Sequence, residues 1–598
     1  VKALLSLNIY FWKYRAHFFW GIAFILLTNL FSIYPAQVVR LTFDFVEDLL
    51  LIKRFFGDAE WFGLFISSSL FFLGGIVVIM ALVRGIFLFF TRQTIIAMSR
   101  RIEYDQKNAL YEHYQELSLA FHRRHQTGDL MAHISEDVGK VRMYTGPGIM
   151  YTINAVTLFF MTLATMLSVN VELTLYALLP LPVLTLSIYL VESMVIRKSE
   201  AIQEKLSNLT SFTQESFSGI RVLKSFIREP SFRQSFAEEG EDYRSKSLSL
   251  AKVNAFFFPM ILLLIGLGTL FTVWVGSARV MDGTLTVGNI AEFVIYLNLL
   301  TWPVVSLGWI TTLIQRAAAS QARIMRHLNE QPEIAFPEHS DAKITAGKIE
   351  FKDVSFTYPE TGIKALDKVS FTIEPGTSLA ILGRTGSGKS SLANLLLRLY
   401  DPDAGEILID QATLKSFSKE NLRKPIGYVP QDVILFSDSI EANIAFGLPD
   451  AGIKEVTQAA AKAAVLENIN DFPEGMHTVI GERGITLSGG QKQRISIARA
   501  WLKNPLIFIL DDSLSAVDTA TEEEILSNLR AKPETGNSPT LILISHRISS
   551  VKHADKIIVL EKGRVAESGT HEELLKQKGI YAGINRIQQL EEAFQDAG

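Results

Sequence analysis

Cysteine is absent from all 598 residues. Disulfide bonds and thiolate metal sites are therefore excluded. The absence suits a membrane protein or one facing the cytoplasm, and equally a chain whose cysteines have been replaced. An excess of positive charge is missing too. The net charge is −4, so there is no broad basic field to hold a nucleic acid, and none is expected as a partner. No internal repeat or low-complexity tract interrupts the chain. A cleavable signal peptide is not expected, because the first apolar run is long enough to span a bilayer and no small-residue cleavage site follows it.

What the chain has in quantity is long apolar runs, all within its first 320 or so residues. A membrane span needs about 20 mostly apolar residues. Six segments qualify: His17–Val39, Gly63–Phe90, Pro147–Val169, Leu173–Val191, Phe256–Val280 and Val287–Ile314. The connections alternate. Leu41–Phe62 is moderate, Asn170–Glu172 and Met281–Thr286 are very short, and Thr91–Gly146 and Glu192–Ala255 are long and charged. Thr91–Gly146 holds eight Lys/Arg, whereas Leu41–Phe62 holds two against five acids. The positive-inside rule then places both long loops and the N-terminus in the cytoplasm, in a multi-pass protein of the cytoplasmic (inner) membrane with the lipid bilayer as its surroundings.

Both long loops carry helical periodicity with little Gly/Pro punctuation, and structureless loops of that length are unusual. They read as membrane helices continued into water, turning at Thr127–Ile134, with Gly128 as breaker, and at Gly219–Phe226. Asn29, Gln37, Glu292 and Asn298 are polar positions in apolar context. Glu292 reads as a group on a substrate path or as one snorkelling to the outer interface. Arg84 reads as an anchor at the inner interface. Pro35, Pro180, Pro182, Pro259 and Pro303 imply kinks.

Residues 331–346 (QPEIAFPEHSDAKITA) carry two prolines and mixed charge and read as a linker. The expected organisation is a membrane all-α six-helix domain (1–330), this linker, an α/β P-loop NTPase cassette (347–580) and a C-terminal helical tail (581–598). The central feature of the second half is Gly383, Arg384, Thr385, Gly386, Ser387, Gly388, Lys389 and Ser390. They spell G-x-x-x-x-G-K-S between an apolar strand pattern, Ser378–Leu382, and a helical pattern beginning at Ser391. In that context glycines let the backbone turn its N–H groups inward, and the helix start adds partial positive charge. Lys389 reaches the outer phosphates of a nucleotide such as ATP, and the Ser390 hydroxyl holds Mg²⁺.

Two more buried strands point the same way. Leu506–Leu510 ends at Asp511, a carboxylate placed to hold Mg²⁺ at the carboxyl edge of an open α/β sheet. Leu541–Ile544 ends at Ser545–His546. Tyr358 follows the strand FKDVSFTY. A core tyrosine is one reading; at this spacing before a P-loop, stacking on adenine is favoured, worth roughly 1–3 kcal/mol by analogy with base–aromatic stacking.

Leu487-Ser488-Gly489-Gly490-Gln491 is identified as the signature string of ATP-binding cassette (ABC) proteins. With Gln431 in YVPQD, Ser515-Ala516-Val517-Asp518 and His546, the set resembles an ABC exporter half-transporter over essentially the whole chain, including the TGDL string Thr127–Leu130. The resemblance implies a head-to-tail dimer of cassettes, with ATP between the Walker residues of one and Ser488, Gly489, Gly490 and Gln491 of the other. It implies that Gln431 joins Ser390 and Asp511 at Mg²⁺, that His546 contacts the γ-phosphate, and that Glu482 lies near the cytoplasmic turns. The physics agrees for the signature: Ser488–Gly490 precede a helix, and their N–H groups suit a phosphate that their own chain does not supply.

One departure stands out. After Asp511 the family usually has Glu, which polarises the attacking water; this chain has Asp512. Its carboxylate is one methylene shorter, and a displacement of ~1 Å in a catalytic group costs on the order of 10²-fold. The chain thus resembles the degenerate-site subunit of bacterial heterodimeric multidrug exporters, with a partner half-transporter carrying Glu after its own Walker B Asp. A homodimer working slowly is the alternative, and an ATP-gated channel or regulatory subunit is a second. Export of a hydrophobic or amphipathic small molecule, drug or lipid, is the expected activity.

Overall fold

The computed structural model describes residues 2–56, 60–481, 487–531 and 538–596. Glu482 lies outside the described residues. The chain divides into two compact units. One comprises Val1–Tyr114 with Gly128–Glu330; the other comprises Gln115–Thr127 with Gln331–Gly598.

The first unit is helical. Its main elements are α1 (Arg15–Phe56), α2 (Glu60–Glu116), α3 (Ile149–Val169), α4 (Pro180–Ser218), α5 (Glu229–Met281) and α6 (Val287–Leu328). Among the described residues, six helical stretches are long and apolar enough to cross a membrane. Lipid offers backbone groups no partner, so each span must satisfy its own, and continuous helices do so. The very short connections are built from caps. Asn170 is extended and its side chain accepts from the N–H of Leu173 at 2.8 Å. Thr286 and Asn289 form a reciprocal capping box that starts α6. Pro35, Pro259 and Pro303 lie inside α1, α5 and α6, which run through them, whereas Pro180 opens α4.

Three expectations need correction. The segment read as a moderate loop at Leu41 is helix as far as Phe56. The first cytoplasmic turn is not at Thr127–Ile134, which is helical through Ala132 and continues as a π-helical stretch. It comes earlier, where α2 ends at Glu116 and Ser118 caps a short helix, Leu119–Arg124. The Ser118 hydroxyl accepts from the N–H of Phe121 at 3.3 Å, and that cap outweighs Gly128, which a helix start tolerates. The second turn does fall at Gly219–Phe226, where Gly219 ends α4. Finally, Glu292 neither snorkels nor faces open space. It is fully buried, accepts from the Tyr296 hydroxyl at 2.7 Å and pairs with Arg40 at 3.3 Å, locking α1 to α6.

The second unit holds two sheets. The strands are β1 (Ile349–Thr357), β2 (Lys364–Ile373), β3 (Ser378–Gly383), β4 (Ala404–Ile409), β5 (Ala412–Thr413), β6 (Ile426–Val429), β7 (Ile507–Asp511), β8 (Thr540–Ser545), β9 (Lys556–Glu561) and β10 (Arg564–Gly569). An antiparallel sheet runs β2-β1-β4-β5, and the larger one runs β10-β9-β3-β8-β7-β6, parallel except at β10. The strands β3, β8 and β7 are neighbours, with Leu382 beside Ser545 and Ile544 beside Asp511. Their carboxyl ends therefore open together, where ligands of such sheets bind. The C-terminal segment forms two helices, His571–Gln577 and Ile580–Asp596, broken at Lys578. Tyr581 is fully buried and shares a hydrogen bond of 2.6 Å with His571.

The proline-bearing segment 331–346 is strapped to this unit. The Phe336 ring lies under the guanidinium groups of Arg398 and Arg423, at 4.5 and 5.2 Å. Asp410 turns the β4–β5 hairpin together with Gln411, both at positive φ. Its carboxylate accepts from the backbone N–H of Thr345 (2.7 Å), Ala346 (2.9 Å), Gly347 (3.1 Å) and Lys348 (2.8 Å). Burial pushes this carboxyl up, but the four N–H groups outweigh it and hold it below the usual range. A depressed carboxyl contributes stability above its unfolded value, about 3.9, and loses it as pH falls through the lower folded value. Asp410→Ala is therefore expected to cost about 1.5–3 kcal/mol at pH 7, the worth of hydrogen bonds to a charged acceptor. Hydrogen exchange should speed at Thr345–Lys348, and the difference from the parent chain in the cassette's unfolding should shrink on acidification below about pH 4.

Candidate functional site

The site grows from the end of β3. Gly383 closes the strand where a Cβ would meet the Leu560 carbonyl at 2.5 Å, and Gly388 starts α7 (Lys389–Leu396) at φ +100°, where a Cβ would meet the Ala365 carbonyl at 2.4 Å. Only glycine fits these two corners. Between them Arg384, Thr385, Gly386 and Ser387 form the loop, closed by the N–H of Ser387 on the Arg384 carbonyl at 3.1 Å.

Lys389 folds back over this loop. Its Nζ donates to the carbonyls of Gly383 at 2.7 Å and Arg384 at 3.1 Å. Burial holds its pKa below the usual lysine value, against the opposing pull of Asp512 and Asp511. The Ser390 hydroxyl donates to Asp511 Oδ1 at 3.0 Å. Asp511 ends β7, 2% exposed, with its carboxyl pushed up to about 6 by burial and by neighbouring Asp512. Asp512 Oδ1 lies 2.8 Å from His546 Nδ1, and Oδ2 accepts from Gln431 Nε2 at 3.4 Å. These groups, with Tyr358, Gly386, Gly388 and Ser391, line a cavity of about 280 Å³.

The residues fit a nucleotide polyphosphate with Mg²⁺. A desolvated ammonium lacks an anion, and a hydroxyl–carboxylate pair lacks the cation that would keep the acid ionised. Lys389 and the loop N–H groups suit the phosphates; Ser390, Asp511 and Gln431 suit the metal.

Tyr358 stands at the rim of the cavity, half-buried. Its hydroxyl shares a 2.9 Å hydrogen bond with Ser391, and its ring meets Phe356 (4.9 Å) and Tyr400 (5.4 Å) edge-on. Sequence reasoning missed what holds it. The Arg123 guanidinium lies 5.4 Å from the Tyr358 centroid and 5.9 Å from that of Tyr400, and pairs with Glu360 at 3.3 Å. Tyr400 donates to the same carboxylate at 2.9 Å. Arg123 entered the sequence reading only as one positive charge of a long loop, and nothing local marks it as the neighbour of a ring 235 positions away.

The signature residues are elsewhere in the cassette. Ser488 caps α8 (Gly489–Leu502): its hydroxyl accepts from the Gln491 N–H at 3.2 Å, and the Gln491 side chain accepts from the Ser488 N–H at 2.9 Å. Gly490 rests against Ala516, whose carbonyl a Cβ would meet at 2.7 Å. Asp518 caps α9 (Thr519–Arg530) through the N–H of Thr521. None of Ser488, Gly489, Gly490, Gln491 or Asp518 lines the cavity at Lys389.

If Tyr358 stacks on adenine, Tyr358→Ala should weaken ATP binding by about 10- to 100-fold, the range of one base–aromatic stack, and leave tripolyphosphate binding unchanged. Arg123→Ala should cost ATP binding less than Tyr358→Ala, again without touching tripolyphosphate. Calorimetric titration of both ligands checks this.

Residues 18–304 match the family described as ABC transporter transmembrane region, and residues 366–515 match the family described as ABC transporter. The chain is 34% identical over 591 residues to a probable multidrug resistance ABC transporter ATP-binding/permease protein, YheI, of Bacillus subtilis, with 98% of each chain covered. It is 33% identical over 598 residues to the multidrug resistance-like ATP-binding protein MdlA of Escherichia coli, covering 100% of this chain and 98% of that one. The solved structure of a bacterial Atm1-family ABC exporter with ATP bound aligns at a TM-score of 0.77 and 26% identity, over 95% of this chain and 99% of the other. Six apolar helices, a P-loop cassette on the same polypeptide and full-length similarity to such proteins lead to one conclusion: the chain belongs to the ABC transporter family, as an exporter-type half-transporter.

Proposed function

We propose that this chain is the degenerate-site half of a heterodimeric exporter, moving hydrophobic or amphipathic small molecules, drugs or lipids, outward across the cytoplasmic membrane. Similarity to proteins named for multidrug resistance supports the substrate class. The pairing rests on one observation: where an ABC cassette keeps its water-polarising carboxylate, this chain has the short Asp512, with His546 at 2.8 Å from one oxygen and the Gln431 amide at 3.4 Å from the other. Both contacts draw the carboxylate toward this chain's own groups, away from a water it is already too short to reach well.

Each chain group then has a role. Lys389 and the loop N–H groups bind and orient the phosphates, Ser390, Asp511 and Gln431 hold the metal, and Tyr358 orients the base. ATP with Mg²⁺ supplies, when bound, the phosphoanhydride whose hydrolysis drives the cycle. Gly489 and Gly490, beside the Ser488 cap, present helix N–H groups to the partner's nucleotide, so the competent site is the one completed by this chain's signature and the partner's Glu. Closure of the two cassettes turns the membrane helices outward, and hydrolysis resets them.

Asp512→Glu in the chain purified alone is expected to raise ATP turnover at least tenfold, since the longer acid restores the reach. In the assembled pair, Asp512→Ala should leave turnover within about twofold of the parent, whereas removing the partner's Glu should abolish it. Turnover that is brisk without a partner and flat on Asp512→Glu would point to a homodimer.

A further inference from the structure

The sequence scatters its polar intramembrane positions over three spans, and the structure gathers several of them. A cavity of about 330 Å³ opens among α1, α2, α3 and α6. Each helix contributes one face at helical spacing: Thr28, Asn29 and Ser32 from α1; Arg84, Thr91 and Arg92 from α2; Tyr151 and Asn154 from α3; Asn298 and Trp302 from α6. Arg84 is six residues inside the apolar run that ends at Phe90, about 9 Å deeper along the helix. A charge at that depth is costly unless a partner or a polar cavity receives it.

The chemistry of the lining has a definite sign. No Asp or Glu is among the lining residues. Neither Arg84 nor Arg92 has a carboxylate within ion-pair distance among the described residues. The hydroxyls of Thr28, Ser32 and Thr91 donate to carbonyls of their own helices, at 2.7, 2.8 and 2.9 Å. The Asn29 amide donates to Thr157 at 2.6 Å, and the Asn298 amide to the Val294 carbonyl at 2.8 Å. With those donors spent, the charged donors left facing the cavity are two guanidinium groups, about 12 Å apart along α2. Guanidinium is the group suited to phosphate or carboxylate. Leu88, Leu158, Leu299 and Trp302 supply apolar wall beside them. Snorkelling accounts for an arginine at the interface, such as Arg92. It does not account for Arg84, six residues inside the run, lining one cavity with Asn29, Asn154 and Asn298 of three other helices.

We infer that this cavity is a binding site for an amphipathic anion, whose phosphate-like or carboxylate headgroup sits at Arg84 and Arg92 and whose apolar part lies against Trp302. The inference deepens the export reading and rests on it for the fate of the ligand, but the site itself is defined by binding. The anion comes from the membrane as a lipid headgroup or from water as a free organic anion, and the two sources share this headgroup chemistry.

The test uses the full-length protein, with the partner it co-purifies with, in nanodiscs of neutral lipid without nucleotide. Dodecyl phosphate is the probe, dodecyltrimethylammonium the matched cation, and phenyl phosphate the anion without a chain. Dodecyl phosphate should bind saturably. Arg84→Gln should weaken it roughly tenfold, the loss of one charge-assisted hydrogen bond, while Arg84→Lys keeps most of the affinity and dodecyltrimethylammonium binding shifts less than twofold in either variant. Arg92→Gln should weaken dodecyl phosphate as well. Phenyl phosphate binding as well as dodecyl phosphate assigns the site to water-borne anions; much weaker binding assigns it to lipids. The inference is overturned if the matched cation binds the parent protein more tightly than the anion, or if both Gln variants bind dodecyl phosphate like the parent, as when a partner's carboxylate already neutralises the arginines. Binding without ATP-driven movement of the probe in vesicles would sink the export reading and leave the site standing. ATP-driven movement of other compounds without anion binding would do the reverse.

Discussion

The cassette depends on charge that its own fold leaves unbalanced. Lys389 is desolvated and turned onto the carbonyls of Gly383 and Arg384. Asp511, 2% exposed, is only partly relieved by the Ser390 hydroxyl. A folded domain retains such groups when something that binds to it supplies the missing charges. The sheet order makes the arrangement possible, because β3, β8 and β7 are adjacent and release the P-loop, His546 and Asp511–Asp512 at one edge. No single one of these strands has a site; three carboxyl ends do.

The membrane unit answers the opposite problem. There an unbalanced charge has little water to turn to, so most polar groups are settled internally. Glu292 shows the rule: Arg40 and Tyr296 enclose it, and it ties α1 to α6. Threonine and serine hydroxyls throughout the spans give their protons to their own helices, which spends their polarity locally. Arg84 stands out against that background: it lines a polar cavity and, among the described residues, has no acid within ion-pair distance.

How much of this was legible in the sequence follows the range of the interaction concerned. The spans, the P-loop and the strand-end carboxylates are local patterns, since a helix in lipid needs a continuous apolar run and a phosphate cradle needs glycines at fixed spacing; these came through. The early first turn at Ser118 did not, because a cap is a contest between neighbouring signals and Gly128 is the louder one in a string of letters. The partner of Glu292 was not visible because Arg40 lies 252 positions away. Asp410, which straps segment 345–348 from 62 to 65 positions downstream, and Arg123, which braces Tyr358, are further long-range contacts that no window of sequence displays.

The same distinction bears on the asymmetry argued for the assembly. In the signature, Ser488 and Gln491 have already satisfied one another, and Gly490 is pressed on Ala516. The corner is held rigid by its own chain before any phosphate arrives, so an incoming nucleotide pays little to order it. At Asp512 the local contacts act in the other direction, because the groups that hold the carboxylate, His546 and Gln431, are themselves ones a phosphate and a metal would recruit. One end of the cassette is thus a corner held by its own contacts, while at the other a short acid is engaged by His546 and Gln431. That contrast between a self-held signature corner and a short acid engaged by its neighbours is what the proposed pairing of unlike halves rests on.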